Sequence, residues 1–99
     1  MFRMTVQYET PADPEAFDRA YFERHVPLCR TLPGLVGASF SKPRPLGPGP
    51  APYLVAELDF ADGEAFRAAM TSPEMATVGQ DAETLPAARV MFTGEVSGG

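Results

Sequence analysis

The chain has 99 residues, of which 44% are hydrophobic and 21% are charged. This length and composition predict a single globular domain over residues 1–99 and exclude a disordered or fibrous protein. The net charge of −5 argues against nucleic-acid binding, and the sequence contains neither an apolar run of membrane-spanning length nor a signal-peptide pattern, so we expect a cytoplasmic protein.

The first two predicted elements are a strand and a long helix. Residues 2–9 alternate between apolar and polar side chains, which is the period of a half-buried strand. Asp13 and Pro14 are residue types that favour the N-cap and the first position of a helix. We therefore predict a helix over residues 14–32.

The apolar side of this helix carries the only histidine of the chain, His25, one turn after Tyr21 and two turns after Phe17. Pro27 predicts a kink beside it. Three interpretations of His25 remain open: a buried histidine bonded to a backbone carbonyl, a surface residue exposed by the kink, or an acid–base group. An aromatic neighbour and partial desolvation favour the third interpretation, because they are typical of small-molecule sites.

The later elements repeat the first half of the chain. Their predicted bounds are strands over residues 35–41, 53–60 and 88–96, and a helix over residues 63–82 that is interrupted at residues 72–74. The segment 42–52 contains five prolines, which exclude a helix or an inner strand. We interpret it as a stiff hairpin connection, with a ligand lid as the alternative.

A short repeat predicts the topology. The pattern D-x-E-A-F occurs at residues 13–17 and again at residues 62–66, each time at a helix start. Two strand–helix–strand units predict a ferredoxin-like βαββαβ fold, which is an α+β architecture with a four-stranded antiparallel sheet and helices on one face. The other face is predicted to carry Arg3, Thr5, Gln7, Tyr53, Val55 and Met91. Because this face is partly apolar, we expect a second copy of the chain to cover it.

The sequence predicts no metal site and no cofactor site. One histidine and one cysteine are too few for the ligand sets of zinc or non-haem iron, and no glycine-rich phosphate loop is present. Cys29 is interpreted as a small buried apolar residue, since a pair with His25 on one helix lacks a third orienting group. Haem ligation by His25 is a minor alternative.

The first helix resembles the EthD family, named after ethyl tert-butyl ether degradation. The resemblance rests on an aromatic helix followed by the motifs H-x-P-L and L-P-G-L, at Asp13, Phe17, Tyr21, His25, Pro27, Leu28 and residues 32–35. Length and element order extend it over nearly the whole chain. One departure is Arg24, which stands where relatives often have a second histidine, so a mechanism that needs two imidazoles is not expected.

The resemblance implies a homodimer in which two sheets pair to form an α/β barrel. It also implies catabolism or secondary metabolism, in a superfamily that includes cofactor-free monooxygenases, isomerases, cyclases and dehydratases. We predict a cofactor-independent enzyme that acts on a hydrophobic or aromatic small molecule, with His25 moving a proton and Tyr21 orienting it or bonding a substrate oxygen. The predicted pocket walls are Tyr8, Phe17, Phe66 and Phe92. The alternative is a non-catalytic homodimeric binding or accessory protein of a degradation pathway.

Overall fold

Four antiparallel strands form one sheet in a computed structural model that describes residues 1–98. The strands are β1 (Phe2–Tyr8), β2 (Leu35–Ser41), β3 (Leu54–Phe60) and β4 (Arg89–Glu95). Their spatial order is β2-β3-β1-β4, so the first strand lies between the third and the fourth. This order and the βαββαβ succession of elements confirm the predicted ferredoxin-like fold.

The helices all lie on one face of the sheet, which we call the inner face. They are α1 (Pro14–Ala20), a π-helical turn (Tyr21–His25), α2 (Val26–Cys29), α3 (Gly63–Met70) and α4 (Pro73–Ala82). The predicted interruption of the second helix is confirmed, since α3 and α4 are separate. No helix within residues 1–98 is long and apolar enough to cross a membrane.

The repeated D-x-E-A-F pattern marks two equivalent helix starts. The Asp13 side chain accepts a hydrogen bond from the backbone N–H of Ala16 at 3.1 Å, and that of Asp62 accepts one from Ala65 at 2.8 Å. Each such N-cap stabilises a helix by about 1 kcal/mol. The first residue of the repeat therefore fixes where α1 and α3 begin.

The kink expected at Pro27 takes the form of a π-helical turn just before it. The N–H of Val26 donates to the carbonyl of Tyr21, five residues back. Pro27 has no N–H, and its ring crowds the preceding turn of a helix, so a wider turn removes the conflict. As a result, Tyr21 and His25 both lie buried between the helix and the sheet.

The core fills the space between the inner face and the helices. Its largest fully buried side chains are Tyr21, Phe17, Phe60, Leu54 and Leu58. The Phe17 and Tyr21 rings stack at 5.5 Å, and the Tyr8 ring meets each of them edge-on at 5.4 Å. An aromatic cluster thus anchors the first helix to β1.

The register of β4 corrects one predicted side-chain orientation. Val6 pairs with Met91, and Thr5 pairs with Phe92. Directly paired residues share a face of a sheet, so Met91 lies on the inner face and Phe92 on the outer face. The prediction that Met91 faces outward is wrong, because Val90, Met91 and Phe92 are consecutive apolar residues whose pattern contains no alternation to set the phase.

Tyr53 is also on the inner face, not on the outer face as predicted. It precedes β3, its hydroxyl donates to Asp18 of α1 at 2.8 Å, and its ring packs against Phe17 at 5.8 Å. Lys42 contacts both Asp18 and Tyr53. Tyr53 lies in a bend just before β3, although its N–H already donates to the Tyr8 carbonyl at 2.8 Å, so the alternation of β3 does not extend to it.

The proline-rich segment 42–52 forms no helix or strand. It joins β2 and β3, which are neighbouring antiparallel strands, as the hairpin interpretation predicts. Gly47 and Gly49 have φ of 89° and 99°, a backbone region that glycine adopts without strain.

Candidate functional site

A cavity of about 150 Å³ lies between the inner face of the sheet and the helices. An apolar cavity of this size accommodates a molecule of about the size of benzene. Its apolar walls include Met4, Val6, Ala56, Leu58, Met75, Val78 and Met91. Its polar lining comes from Tyr8, Tyr21, His25, Cys29, Glu83 and Arg89. A mostly apolar space with a few polar groups is the usual composition of a small-molecule site.

His25 lies in this cavity and is bonded to a carboxylate. The residue is 4% exposed, and its Nδ1 lies 2.9 Å from Oδ2 of Asp81 in α4. Because an ionised carboxylate only accepts hydrogen bonds, Nδ1 carries the proton and donates it. Nε2, which has no hydrogen-bond partner among residues 1–98, is then the nitrogen that can accept a proton. This pairing excludes the interpretations of His25 as bonded to a backbone carbonyl or exposed at the surface.

The electrostatic environment keeps the imidazole neutral. Burial lowers the pKa of His25 below its ordinary value and outweighs Asp81, which raises it. Arg24 and Arg89 lower it further, because nearby positive charges oppose a second one. A neutral imidazole with a free Nε2 is the form that can act as a base.

Asp81 is itself held in place by Arg24. The Arg24 guanidinium donates from Nε to Oδ1 of Asp81 and from Nη2 to the Thr84 hydroxyl at 3.0 Å. Burial alone opposes the charge on Asp81, but Arg24 and His25 outweigh it and lower its pKa. Arg24 therefore keeps the carboxylate ionised and directed at His25.

Two tyrosines continue the polar lining. The Tyr21 ring lies 5.2 Å from the His25 ring and 5.4 Å from the Tyr8 ring, between centroids. Burial raises the pKa of Tyr8 to about 12 and raises that of Tyr21 as well. Both hydroxyls thus stay protonated near neutral pH and can donate hydrogen bonds to a ligand oxygen.

Of the four predicted walls, only Tyr8 lines the cavity. Phe17 is fully buried in the aromatic cluster behind it. Phe66 packs against Phe2 and Phe60, at the opposite end of β1 from Tyr8. The prediction that Phe92 shares a pocket with His25 is wrong, because the register of β4 places Phe92 on the outer face.

Sequence reasoning missed the charged residues of the site. Asp81 lies 56 residues from His25 in the chain, and Arg89 is the first residue of β4. One signal could have indicated Asp81: it follows the apolar Val78 by three residues in α4, on the same side of that helix. Nothing in the sequence indicated Arg89, whose environment depends on how β4 is placed.

Cys29 lines the cavity and is 3% exposed. Burial raises its pKa to about 11, so the thiol stays protonated and is a poor nucleophile near neutral pH. This agrees with its interpretation as a small buried residue. Among residues 1–98, no group of three or more His, Cys, Asp or Glu side chains is arranged to hold a metal ion.

Sheet, helices and cavity together define a ferredoxin-like α+β protein with a buried imidazole–carboxylate pair at a small apolar cavity. The chain belongs to the EthD family. A sequence model of the EthD domain matches residues 9–86, a range that includes α1, the π-helical turn and Asp81.

Two similar proteins cover nearly the whole chain. An uncharacterised 11.0 kDa protein from Rhodococcus erythropolis is 35% identical over 98 residues, covering 96% of this chain and 95% of its own. The crystal structure of an EthD family protein from Bacillus halodurans has a TM-score of 0.86 and 32% identity, covering 98% of this chain and 99% of its own.

A more distant structure has the same fold. SnoaB, a cofactor-independent oxygenase from Streptomyces nogalater, has a TM-score of 0.72 and 17% identity, covering 99% of this chain and 94% of its own. At this identity the likeness concerns the fold alone.

Proposed function

We propose that this protein is a cofactor-independent enzyme that moves a proton on a hydrophobic or aromatic small molecule held in the cavity beside His25. The observation that carries the proposal is the buried imidazole whose Nδ1 is bonded to Asp81 and whose Nε2 has no hydrogen-bond partner within residues 1–98. A base held by a carboxylate next to an apolar cavity is a common arrangement for proton abstraction.

Each residue has a role in this proposal. His25 accepts the proton at Nε2, and Asp81 stabilises the imidazolium that forms. Tyr21, which touches the His25 ring, orients the imidazole or donates its hydroxyl to a ligand oxygen. Isomerisation, dehydration, cyclisation and oxygenation of a carbanion all include such a transfer. SnoaB, a cofactor-independent oxygenase, has the same fold. The fold is therefore compatible with chemistry that needs no cofactor. We place the reaction in catabolism or secondary metabolism.

The test is hydrogen–deuterium exchange from solvent D₂O into a panel of small aromatic ketones and lactones, followed by mass spectrometry. We expect protein-dependent exchange at a carbon next to a carbonyl, at least about tenfold slower in His25→Gln. The control is Glu74→Gln, a change at the exposed start of α4. Exchange that is equal in wild type and His25→Gln would refute His25 as the base.

The alternative is a non-catalytic binding or accessory protein, in which the hydrogen bonds of His25 hold the fold together and His25 moves no proton. The Arg24–Asp81–His25 chain joins the first helix to α4 and would also be expected in a purely structural role. If a panel compound binds the wild-type protein without exchange and binds His25→Asn equally well, the binding function replaces the enzymatic one.

We also propose that a second copy covers the outer face of the sheet. This face carries an exposed apolar patch beside an ion-pair group in which Arg3 contacts Asp59 at 2.7 Å and Glu57 at 3.3 Å. The patch consists of Val90 and Phe92, which are 58% and 48% exposed, together with the half-buried Val55. A domain this small buries little surface alone, so pairing its sheets adds apolar burial.

A further inference from the structure

We propose that Arg89 is the anchor for a negatively charged oxygen of the ligand, so that the cavity takes a small apolar molecule bearing one carboxylate, phenolate or enolate oxygen. The inference rests on the proposed use of the cavity beside His25. It adds the chemical class of the ligand and a binding residue that the sequence did not indicate.

Arg89 belongs to the same side of the cavity as the imidazole. It pairs with Tyr8 across β1 and β4, so the two side chains are neighbours on the inner face. The Tyr8 ring contacts Tyr21, and the Tyr21 ring contacts His25. Neighbouring polar residues therefore lead from the guanidinium to the base, and most of the other lining residues are apolar.

The guanidinium has hydrogen-bond donors to spare. Nη2 donates to Glu83 at 2.9 Å, and Nη1 donates weakly to the Ala82 carbonyl at 3.4 Å. A guanidinium has five N–H donors, so others remain for a ligand. The Arg89 side chain is only 22% exposed, whereas that of Glu83 is 75% exposed. An ion pair to so exposed a carboxylate is weak and easily exchanged.

The charges around the cavity favour an anion. Asp81 is neutralised by Arg24, and His25 is neutral. Among residues 1–98, the remaining charges in the lining are those of Arg89 and Glu83, which form an ion pair whose carboxylate side chain is 75% exposed. A ligand oxyanion in the apolar space would form a charge-assisted hydrogen bond with the remaining donors of Arg89, or replace the exposed Glu83 carboxylate on them.

This arrangement also suits the proposed proton transfer. When Nε2 of His25 takes a proton from a carbon next to a carbonyl, the C–H electron pair becomes the C=C bond of an enolate. The carbonyl π pair moves to oxygen, where Arg89 donates hydrogen bonds to the new charge. Return of the proton from His25 to the same or another carbon completes the step without an oxidant or reductant.

The test compares two probes of nearly equal shape, 4-nitrophenolate and 4-nitrotoluene. The phenol ionises near neutral pH, and its phenolate is visibly coloured, so binding is followed by absorbance and by calorimetry. At mildly alkaline pH we expect the wild-type protein to bind the phenolate at least about tenfold more tightly than the nitrotoluene. Benzoate and benzamide, compared in the same way, show whether a carboxylate is accepted as well.

Variants then assign the preference to one residue. Arg89→Met is expected to remove the preference for the phenolate and to leave 4-nitrotoluene binding within about twofold. Arg89→Lys, which keeps the charge, should retain part of the preference. Glu83→Gln changes the ion-pair partner of Arg89 and is the complementary variant. It should strengthen phenolate binding because it removes the competing carboxylate.

Each outcome decides the proposal. Equal binding of the two probes by the wild-type protein, or an unchanged preference in Arg89→Met, would overturn Arg89 as the anchor. If neither probe binds, the cavity does not take a small apolar anion, and the proposal is overturned as well. Failure of the proposed function is separate: His25→Asn keeps Arg89, so it should retain the phenolate preference even where it abolishes exchange into ketones.

Discussion

At the scale of single residues, the basicity of His25 is set by groups that act in opposite directions. Burial and the two neighbouring arginines lower its pKa, whereas Asp81 raises it. The carboxylate therefore does more than hold the ring in place. It offsets part of the cost of protonating an imidazole in a poorly hydrated space.

Replacing Asp81 with Asn should lower the pKa of His25 further, because it removes the group that raises it. Since the chain has one histidine, the ring signals can be followed without assignment in an NMR pH titration. Glu74→Gln, at the other end of α4, is the control and should leave the midpoint unchanged. A midpoint that rises in Asp81→Asn would contradict the assigned hydrogen bond.

The same desolvation predicts a pH dependence of stability. The folded pKa of His25 lies below its value in the unfolded chain, about 6.5. The unfolded state thus binds more protons below that value, so the free energy of unfolding should fall as the pH decreases from about 7 to about 5. Urea denaturation at several pH values measures this slope. In His25→Gln the slope should be smaller, and an equal slope would assign it to other groups.

At the scale of elements, α4 contributes both to the apolar wall of the cavity and to the hydrogen bond that holds His25. It supplies the apolar wall through Val78 and the carboxylate through Asp81, and its start is fixed by the Ser72 hydroxyl, which accepts from the Met75 N–H at 3.1 Å. The helix also contains Gly79, which lines the cavity.

Gly79→Ala should stabilise the protein and narrow the cavity at the same time. An added Cβ meets no other atom of residues 1–98 within 4 Å, and alanine favours a helix over glycine by about 0.5–1 kcal/mol. We expect a higher midpoint in thermal unfolding together with weaker binding of benzene-sized probes such as 4-nitrotoluene. Gly94→Ala, in β4 and also without neighbours within 4 Å, controls for binding and should leave it unchanged.

Local patterns were sufficient to predict elements but not the site. The side chains of Asp13, Asp62 and Ser72 each accept a hydrogen bond from the backbone N–H three residues further along the chain. The sequence alone therefore predicts where these helices start. Asp81 and Arg89 acquire their roles only when the chain brings them to His25 and Tyr8, which no local pattern describes. The sequence also could not predict the form of the kink, because Pro27 disfavours a regular helix without requiring a π-helical turn.

At the scale of the whole molecule, the outer face of the sheet is where a second copy is proposed to bind. Phe92→Glu places a charge in the apolar patch of that face and should shift the protein toward monomers in analytical ultracentrifugation. Leu46→Glu is the matched control, since Leu46 is fully exposed in the proline-rich segment and away from the sheet. A wild-type monomer, or dissociation by Leu46→Glu alone, would contradict the proposed interface.

His25 and Cys29 both line the cavity. Binding of a ligand there can therefore be detected in the unmodified protein. The protein has one imidazole, one thiol and no tryptophan, and the two unique groups lie in the same space. Alkylation of the buried, protonated thiol is slow, and a ligand that fills this space should slow it further and shift the imidazole resonances. Occupancy can thus be read from two independent native signals, without a label or substitution that would alter the walls being measured.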